Sequence, residues 1–221
     1  MKRAIVFAAA LGVASTLQAQ AAPASETAKA ATAASPAAAP AGWAARFDKA
    51  GANAAGAKFT TMGDGLHFTT GPSATWYRTD APLDNAYTVE ATFVQTKAPQ
   101  HPEAYGLMVM GKDLDKSTQS YVYFVVRGTG EWLMKHRAND TEVHTIHDWT
   151  PSTAVNKQDA EGKATNKLRV DVASDSVRFF INDQSVKAFP RTYMKDVQGV
   201  PGIRMNHGLD VHVAGWKVTK K

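Results

Sequence analysis

Three residues close together in the chain, His144, His147 and Asp148, have the side chains a divalent metal would use. Zinc needs its ligands to converge on one point. On a strand successive side chains alternate between faces, so positions 144 and 147 point opposite ways. His136, His207 and His212 have no spacing that brings them together. Asp113 and Asp115 are oxygen donors of the kind found in calcium loops, but calcium takes roughly six to eight oxygens. The expectation is no cofactor, with calcium at Asp113 and Asp115 as the one alternative.

Carboxylate chemistry on sugars needs two acids facing one groove, about 5 Å apart where stereochemistry is retained. Period-two alternation would keep a Glu-x-Asp-x-Glu run on one strand face. Glu90, Glu103, Glu131, Glu142 and Glu161 each stand apart from such a run, and no catalytic residue is assigned. The chain lacks a Ser-His-Asp signature, a phosphate loop and a dinucleotide fingerprint, and with no cysteine it has no Cys-His pair.

Binding chemistry has more candidates. A sugar is held by an aromatic ring against its apolar face and by polar groups that meet its hydroxyls in fixed directions. Trp76, Tyr77, Tyr105, Tyr123, Trp132 and Trp149 are the available rings, and Arg127, Arg204, Asn206 and His207 the polar partners. The same rings serve equally as core, because strand faces bury them. Trp43 and Trp216 are read as core. Ile203 and Met205 alternate with Arg204 and Asn206, so if the first two face the core the second two face out. The expected ligand-facing set is Arg204, Asn206, His207, Tyr105, Tyr123, Arg127 and Trp132.

The elements that must hold these residues are strands. From Trp43 to Lys221, Gly- and Asp-rich turns separate short runs of Val, Phe, Tyr and Thr. Lys58 to Met62 and Leu66 to Thr70 flank Gly63-Asp64-Gly65, a three-residue hairpin signal. Tyr87, Val89, Ala91 and Phe93 alternate with polar residues as a half-buried strand does. Tyr105 to Met110, Tyr121 to Arg127 and Glu131 to His136 form a consecutive group, the last two joined by Gly128-Thr129-Gly130. A hairpin closed at Ser174-Asp175 sets Val172 against Val177, Val170 against Phe179 and Leu168 against Ile181, so every inward pair is apolar. The same register predicts an Asp171–Arg178 ion pair and an Arg169–Phe180 cation–aromatic contact. The apolar phase slips by one between Val213 and Trp216, which a bulge at Ala214-Gly215 absorbs. Ala44 to Ala57 has a helix-like composition weakened by Gly51 and Gly56. About a dozen strands without crossover helices imply an all-β, antiparallel sandwich or jelly roll.

Three ordered segments carry a resemblance: Asn166-Lys-Leu-Arg-Val170, Val177-Arg-Phe-Phe-Ile-Asn-Asp183 and Gly199-Val-Pro-Gly-Ile-Arg-Met205. Together with Tyr105-Gly106-Leu107 and Trp149, they resemble the laminin-G-like and concanavalin A-like jelly rolls, near the 3-keto-disaccharide hydrolase-type domains. Asn182-Asp183 replaces the usual Asn-Gly and still makes a turn. Ala104-Tyr105-Gly106 stands where those hydrolases carry Asn-Ser-Gly, which argues against their activity. The resemblance covers roughly Phe59 to Val218. It implies the fold and a carbohydrate or glycan ligand.

The ends of the chain add an address. Met1-Lys2-Arg3, an uncharged apolar run from Ala4 to about Leu17 and Ala19-Gln20-Ala21 have the order of a secretory signal over residues 1–21. The run is shorter than the ~20 residues a membrane span needs. Residues 22–42 are mostly Ala, Pro, Ser and Thr with few charges and no large apolar residue to bury, the composition of a disordered linker. The sandwich domain is expected over 43–221. Without cysteine it relies on its core, and no residue is present to carry a lipid. A periplasmic or secreted bacterial location fits. The formal charge falls from +5 to about +3 without Lys2 and Arg3, and the basic residues are scattered, so nucleic acid is not an expected partner. Three function classes follow: a non-catalytic carbohydrate-binding sandwich, a glycoside-processing hydrolase with an unfamiliar site, and a structural envelope protein that binds another protein.

Overall fold

The computed structural model describes residues 39–49, 51–81 and 84–221. The expected signal and nearly all of the expected linker lie outside the described residues.

Fourteen strands, numbered in chain order, form two seven-stranded sheets. The first sheet runs β1 (Trp43–Phe47), β4 (Ala74–Arg78), β13 (Val200–Met205), β6 (Ala104–Lys112), β7 (Ser120–Arg127), β8 (Glu131–Arg137) and β9 (Val143–Pro151). The second runs β12 (Gln184–Pro190), β11 (Ser176–Ile181), β10 (Ala164–Val172), β5 (Tyr87–Gln95), β14 (Asp210–Lys220), β3 (Gly65–Thr69) and β2 (Lys58–Met62). Every pairing between named strands is antiparallel. The expected all-β sandwich is what the chain forms.

The core lies between the sheets because alternate residues of each strand are apolar. Phe93 of β5 stacks on Tyr105 of β6 at 5.6 Å, and Phe124 of β7 meets Phe179 of β11 edge-on at 5.3 Å. Each contact joins one sheet to the other. Gly106 is fixed by close approach: a Cβ there would sit 2.2 Å from the Phe124 carbonyl oxygen and 2.9 Å from Leu168 Cδ1.

The β10–β11 register is the expected one, with Leu168, Val170 and Val172 opposite Ile181, Phe179 and Val177. Arg169 lies over the Phe180 ring at 3.7 Å, also as expected. The Asp171–Arg178 ion pair does not form. Asp171 accepts from Arg169 Nη1 at 2.5 Å and from Thr88 Oγ1 at 2.9 Å, while Arg178 turns toward Asp175 at 3.6 Å. A same-face neighbour two residues back on β10 and a cross-strand hydroxyl from β5 occupy the carboxylate. The next turn is Asn182-Asp183, with both residues at positive φ (+49° and +63°), the geometry of a tight hairpin. Asn182 Oδ1 accepts from Lys167 N–H, and its Nδ2 donates to Asn166 Oδ1 and to the Ala154 carbonyl.

Three other details refine the sequence reading. Ala44 to Ala57 starts as strand, because Ala45 and Phe47 enter the core, and then makes only a 3-10 turn at Ala54–Gly56. Gly65 pairs opposite Met62, so the first hairpin turn is Gly63-Asp64, with Gly63 at φ +61°. The bulge in β14 falls where the phase slip put it, between Ala214 and Lys217, with Gly215 at φ +62°.

Candidate ligand-binding site

On β13, Ile203 and Met205 enter the core and Arg204 takes the opposite face, as alternation requires. The opposite face is not open water here. The Arg204 side chain is only 4 % exposed. Its guanidinium grips Asp48 with two bonds of 2.5 Å, donates from Nε to Asn206 Oδ1 at 3.2 Å, and lies 5.1 Å from the centre of the Tyr123 ring. Arg137 on β8 donates to Tyr121 Oη at 3.1 Å and stands 3.6 Å from Asp48. Arg46 on β1 and Gln119 both donate to Asp140 Oδ1 at 2.5 Å.

Asp140 follows β8, and four strands separate β8 from β1 in the sheet order. The Arg46–Asp140 bond therefore ties opposite parts of the sheet together across its outer face, where Arg46, Arg137 and Arg204 are buried and Asp48 and Asp140 half-buried. Burial pushes the Asp48 carboxyl upward, but the charge and hydrogen bonds of Arg204, helped by Arg137, hold it below its ordinary value. Burial likewise disfavours the charged form of Arg204, and Asp48 outweighs that.

Asp48 is also where this cluster meets an opening. A cavity of about 710 Å³ is lined by Asp48, Asn53, Gly71, Ser73 and His207, from loops at one end of the sandwich. His207 also borders a second cavity of about 300 Å³, with Gln100, His101 and Glu103. Its Nε2 lies 3.0 Å from Glu103 Oε1, and Glu103 is 12 % exposed. The two cavities make a groove with His207 between them, walled by polar groups whose directions are set from behind. Asp48 is held by Arg204, and His207 is held by Glu103.

The expected ligand-facing residues divide. Of Arg204, Asn206 and His207, only His207 lines this groove; Arg204 bonds Asn206 and the groove residue Asp48. Tyr123 lies on the outer face under Arg204. Arg127 is farther along β7, over the Trp149 ring at 4.2 Å and bonded to Glu131 at 2.7 and 2.6 Å. That Arg127 contact, with Thr129, draws the Glu131 carboxyl down to about 2. Tyr105 and Trp132 correct the expectation, because both are turned into the core. Tyr105 packs on Phe93, with Asn166 Nδ2 at 3.3 Å from its hydroxyl, and Trp132 packs on Phe124 at 5.8 Å. Each shares the inward phase of its strand with Leu107 or Met134. Trp76 is core as well.

The structure adds residues that spacing did not mark: Asp48, Arg46, Arg137, Asp140 and Glu103. They stand at strand ends and in loops far apart in the chain, and only the sheet order makes them neighbours. Among the described residues no three His, Cys, Asp or Glu side chains gather as metal ligands. His144 faces Glu142 at 3.0 Å, His147 stacks on Trp132 at 3.9 Å, and Asp113 is engaged by Lys116 at 2.7 Å.

No family model matches the chain, and no curated protein does. Solved structures do match. A carbohydrate-binding module, CBM66 from Bacillus subtilis, superposes with a TM-score of 0.57 at 12 % identity, over 81 % of this chain and 96 % of that one. A Bacillus subtilis protein of unknown function with a galectin-like fold gives 0.54 at 10 % identity, over 80 % and 89 %. The carbohydrate recognition domain of Emp46p, in a potassium-bound form, gives 0.50 at 10 % identity, over 80 % and 88 %. At these identities the likeness is one of fold, and it places the chain among the galectin-like, jelly-roll β-sandwiches.

Proposed function

We propose that this chain is an exported, non-catalytic carbohydrate-binding β-sandwich whose ligand lies in the loop-end groove around His207. The observation that carries the reading is the backing of that groove. Asp48 and His207, both lining it, are each fixed by a partner, Arg204 and Glu103, so that either can meet a hydroxyl without first ordering a mobile side chain. The cavity volume falls within the few hundred to roughly a thousand Å³ of small-molecule sites. The fold likeness to a carbohydrate-binding module and a carbohydrate recognition domain agrees with this ligand class, though one fold hosts many functions. Export rests on the order of the basic start, the apolar run and Ala19-Gln20-Ala21. One observation favours hydrolysis as a second reading: Asp48 and Glu103 border the groove on either side of His207.

A glycan array on residues 39–221, followed by calorimetry, tests the reading. His207 is 57 % exposed, so His207→Ala removes a groove wall without disturbing the core. Affinity is expected to fall about tenfold, the loss of one hydrogen bond to a charged or polarised group. An unchanged affinity moves the site elsewhere, and no binding across a broad panel defeats the reading. Release of reducing ends, abolished by Glu103→Gln, would favour the hydrolase instead.

A further inference from the structure

The bulge in β14 has a consequence beyond pairing. After the shift, Lys217 stands opposite Glu90 and Val218 opposite Val89. Cross-strand partners share a face, so Val218, and Trp216 two residues before it, are turned to the inward side. Yet Val218 is 40 % exposed, whereas Val89 is fully buried. The interior of the sandwich is open to water here. Trp43, at the start of β1 in the other sheet, meets Trp216 across the opening, with ring centres 5.7 Å apart and planes at 61°. A cavity of about 550 Å³ lies against both rings.

We infer that this opening is a second ligand groove, which takes a ring of a neutral saccharide against Trp43 and Trp216. Bulges often re-aim a side chain beside a functional site, and this one turns an indole inward at a place the first sheet leaves uncovered. The chemistry of the walls selects the ligand. The floor is apolar and aromatic. The rim is ionic: Arg78 is paired with Asp80, Lys220 lies 3.5 Å from Asp84, and Asp64 projects from the β2–β3 turn as an exposed carboxylate. A purely apolar ligand would leave that rim unused. A polyanion would meet three carboxylates against two cations. A saccharide ring has one apolar C–H face for the indoles and a girdle of hydroxyls for the carboxylate acceptors and for the guanidinium N–H groups of Arg78 that Asp80 does not take. The groove borrows its ligand class from the reading proposed above, but its place is independent, since it shares no lining residue with the His207 groove.

The test titrates the full-length protein with cellohexaose, maltohexaose, laminarihexaose and hexagalacturonate, by calorimetry and by tryptophan fluorescence. The variants are Trp216→Ala, Asp64→Ala and His207→Ala. Asp64 is an exposed turn residue, so its variant remains informative if Trp216→Ala unfolds. A neutral hexasaccharide is expected to shift the tryptophan emission, and Asp64→Ala to weaken that phase about three- to tenfold. Trp216→Ala, if folded, should abolish it, and His207→Ala should leave it intact. Three outcomes overturn the inference: neutral binding that His207→Ala alone removes, hexagalacturonate preferred in the phase that Asp64→Ala alters, or no neutral binding at all. The first leaves the His207 reading standing. Binding lost in the Asp64 and Trp216 variants but indifferent to His207→Ala sustains the inference and defeats that reading.

Discussion

Both sheets carry guanidinium–carboxylate contacts on their outer faces, and the two sets meet different solvents. On the second sheet Arg169 bonds Asp171 with side chains 25 % and 16 % exposed, and Arg178 lies near Asp175 with 52 % and 70 %. On the first sheet Arg204 and Arg46 are each 4 % exposed, and their partners Asp48 and Asp140 are 23 % and 31 % exposed, so the contrast lies in the guanidinium groups. The same pair of ions is worth roughly fourfold more at an effective dielectric of 20 than in bulk water. It also costs far more to desolvate. Strand alternation assigns all of these arginines to outer faces. What separates Arg204 and Arg46 from the others is the segments after β1 and β8, whose Asp48 and Asp140 lie against them.

The largest break in this comparison is expected at Arg204. Arg204→Ala removes both bonds to Asp48 and leaves that half-buried carboxylate with Arg137 at 3.6 Å as its remaining cation. Breaking a fully buried pair from one side costs about 3–5 kcal/mol, and with Asp48 half-buried and Arg137 beside it about 2–3 kcal/mol is expected. Urea melts should show that loss. A cost under about 1 kcal/mol would mean that water reaches Asp48 freely and that the two outer faces do not differ.

A second test reads the same buried pair through pH. The Asp48 carboxyl is held below its ordinary value of 3.8: burial raises it, but Arg204 and then Arg137 lower it by more. A carboxylate depressed in the folded state contributes stability that is present above its unfolded value and is lost as pH falls through its folded one. The wild-type urea midpoint should therefore drop below about pH 4, and Asp48→Asn should flatten that drop while lowering stability at neutral pH. Parallel profiles for wild type and variant would show that Asp48 is not stabilised by its partners. Glu131, at about 2, contributes an acid-side slope common to both.

How far these features can be read from the chain follows from how local their causes are. The β10–β11 register was legible because three apolar pairs agree on one alignment and a one-residue slip would invert all of them. The β14 bulge was legible because Val213 and Trp216 are out of phase by one. The side of β13 that Arg204 takes was legible for the same reason, but its burial was not. Burial depends on Asp48, Arg137 and Asp140, at sequence distances that no period connects. Tyr105 and Trp132 were misplaced because the choice between platform and core depends on each strand's phase, and that phase is weak where a strand is apolar on both faces, as β6 is from Ala104 to Met110. Trp216 was assigned to the core on its phase. The phase was right, but the opening beside it depends on where the opposite sheet ends.

The smallest expected effect concerns which arginine Asp171 answers to. Register alone pairs it with Arg178, and the register is as predicted. The structure instead gives it Arg169 at 2.5 Å and Thr88 at 2.9 Å. The two alternatives make different predictions in a double-mutant cycle. Asp171→Ala with Arg169→Ala should show a coupling of up to about 1 kcal/mol, the upper part of the range for partly exposed ion pairs. Asp171→Ala with Arg178→Ala should show coupling within a few tenths, because Arg178 faces Asp175 across 3.6 Å with both side chains more than half exposed. Arg178→Ala alone should cost no more than about 0.5 kcal/mol, as surface changes do. Added salt should shrink the first coupling and leave the second near zero. If the Arg178 cycle gives the larger coupling, the cross-strand pair forms after all, and the outer face of the second sheet is ordered by pairing between strands rather than along them.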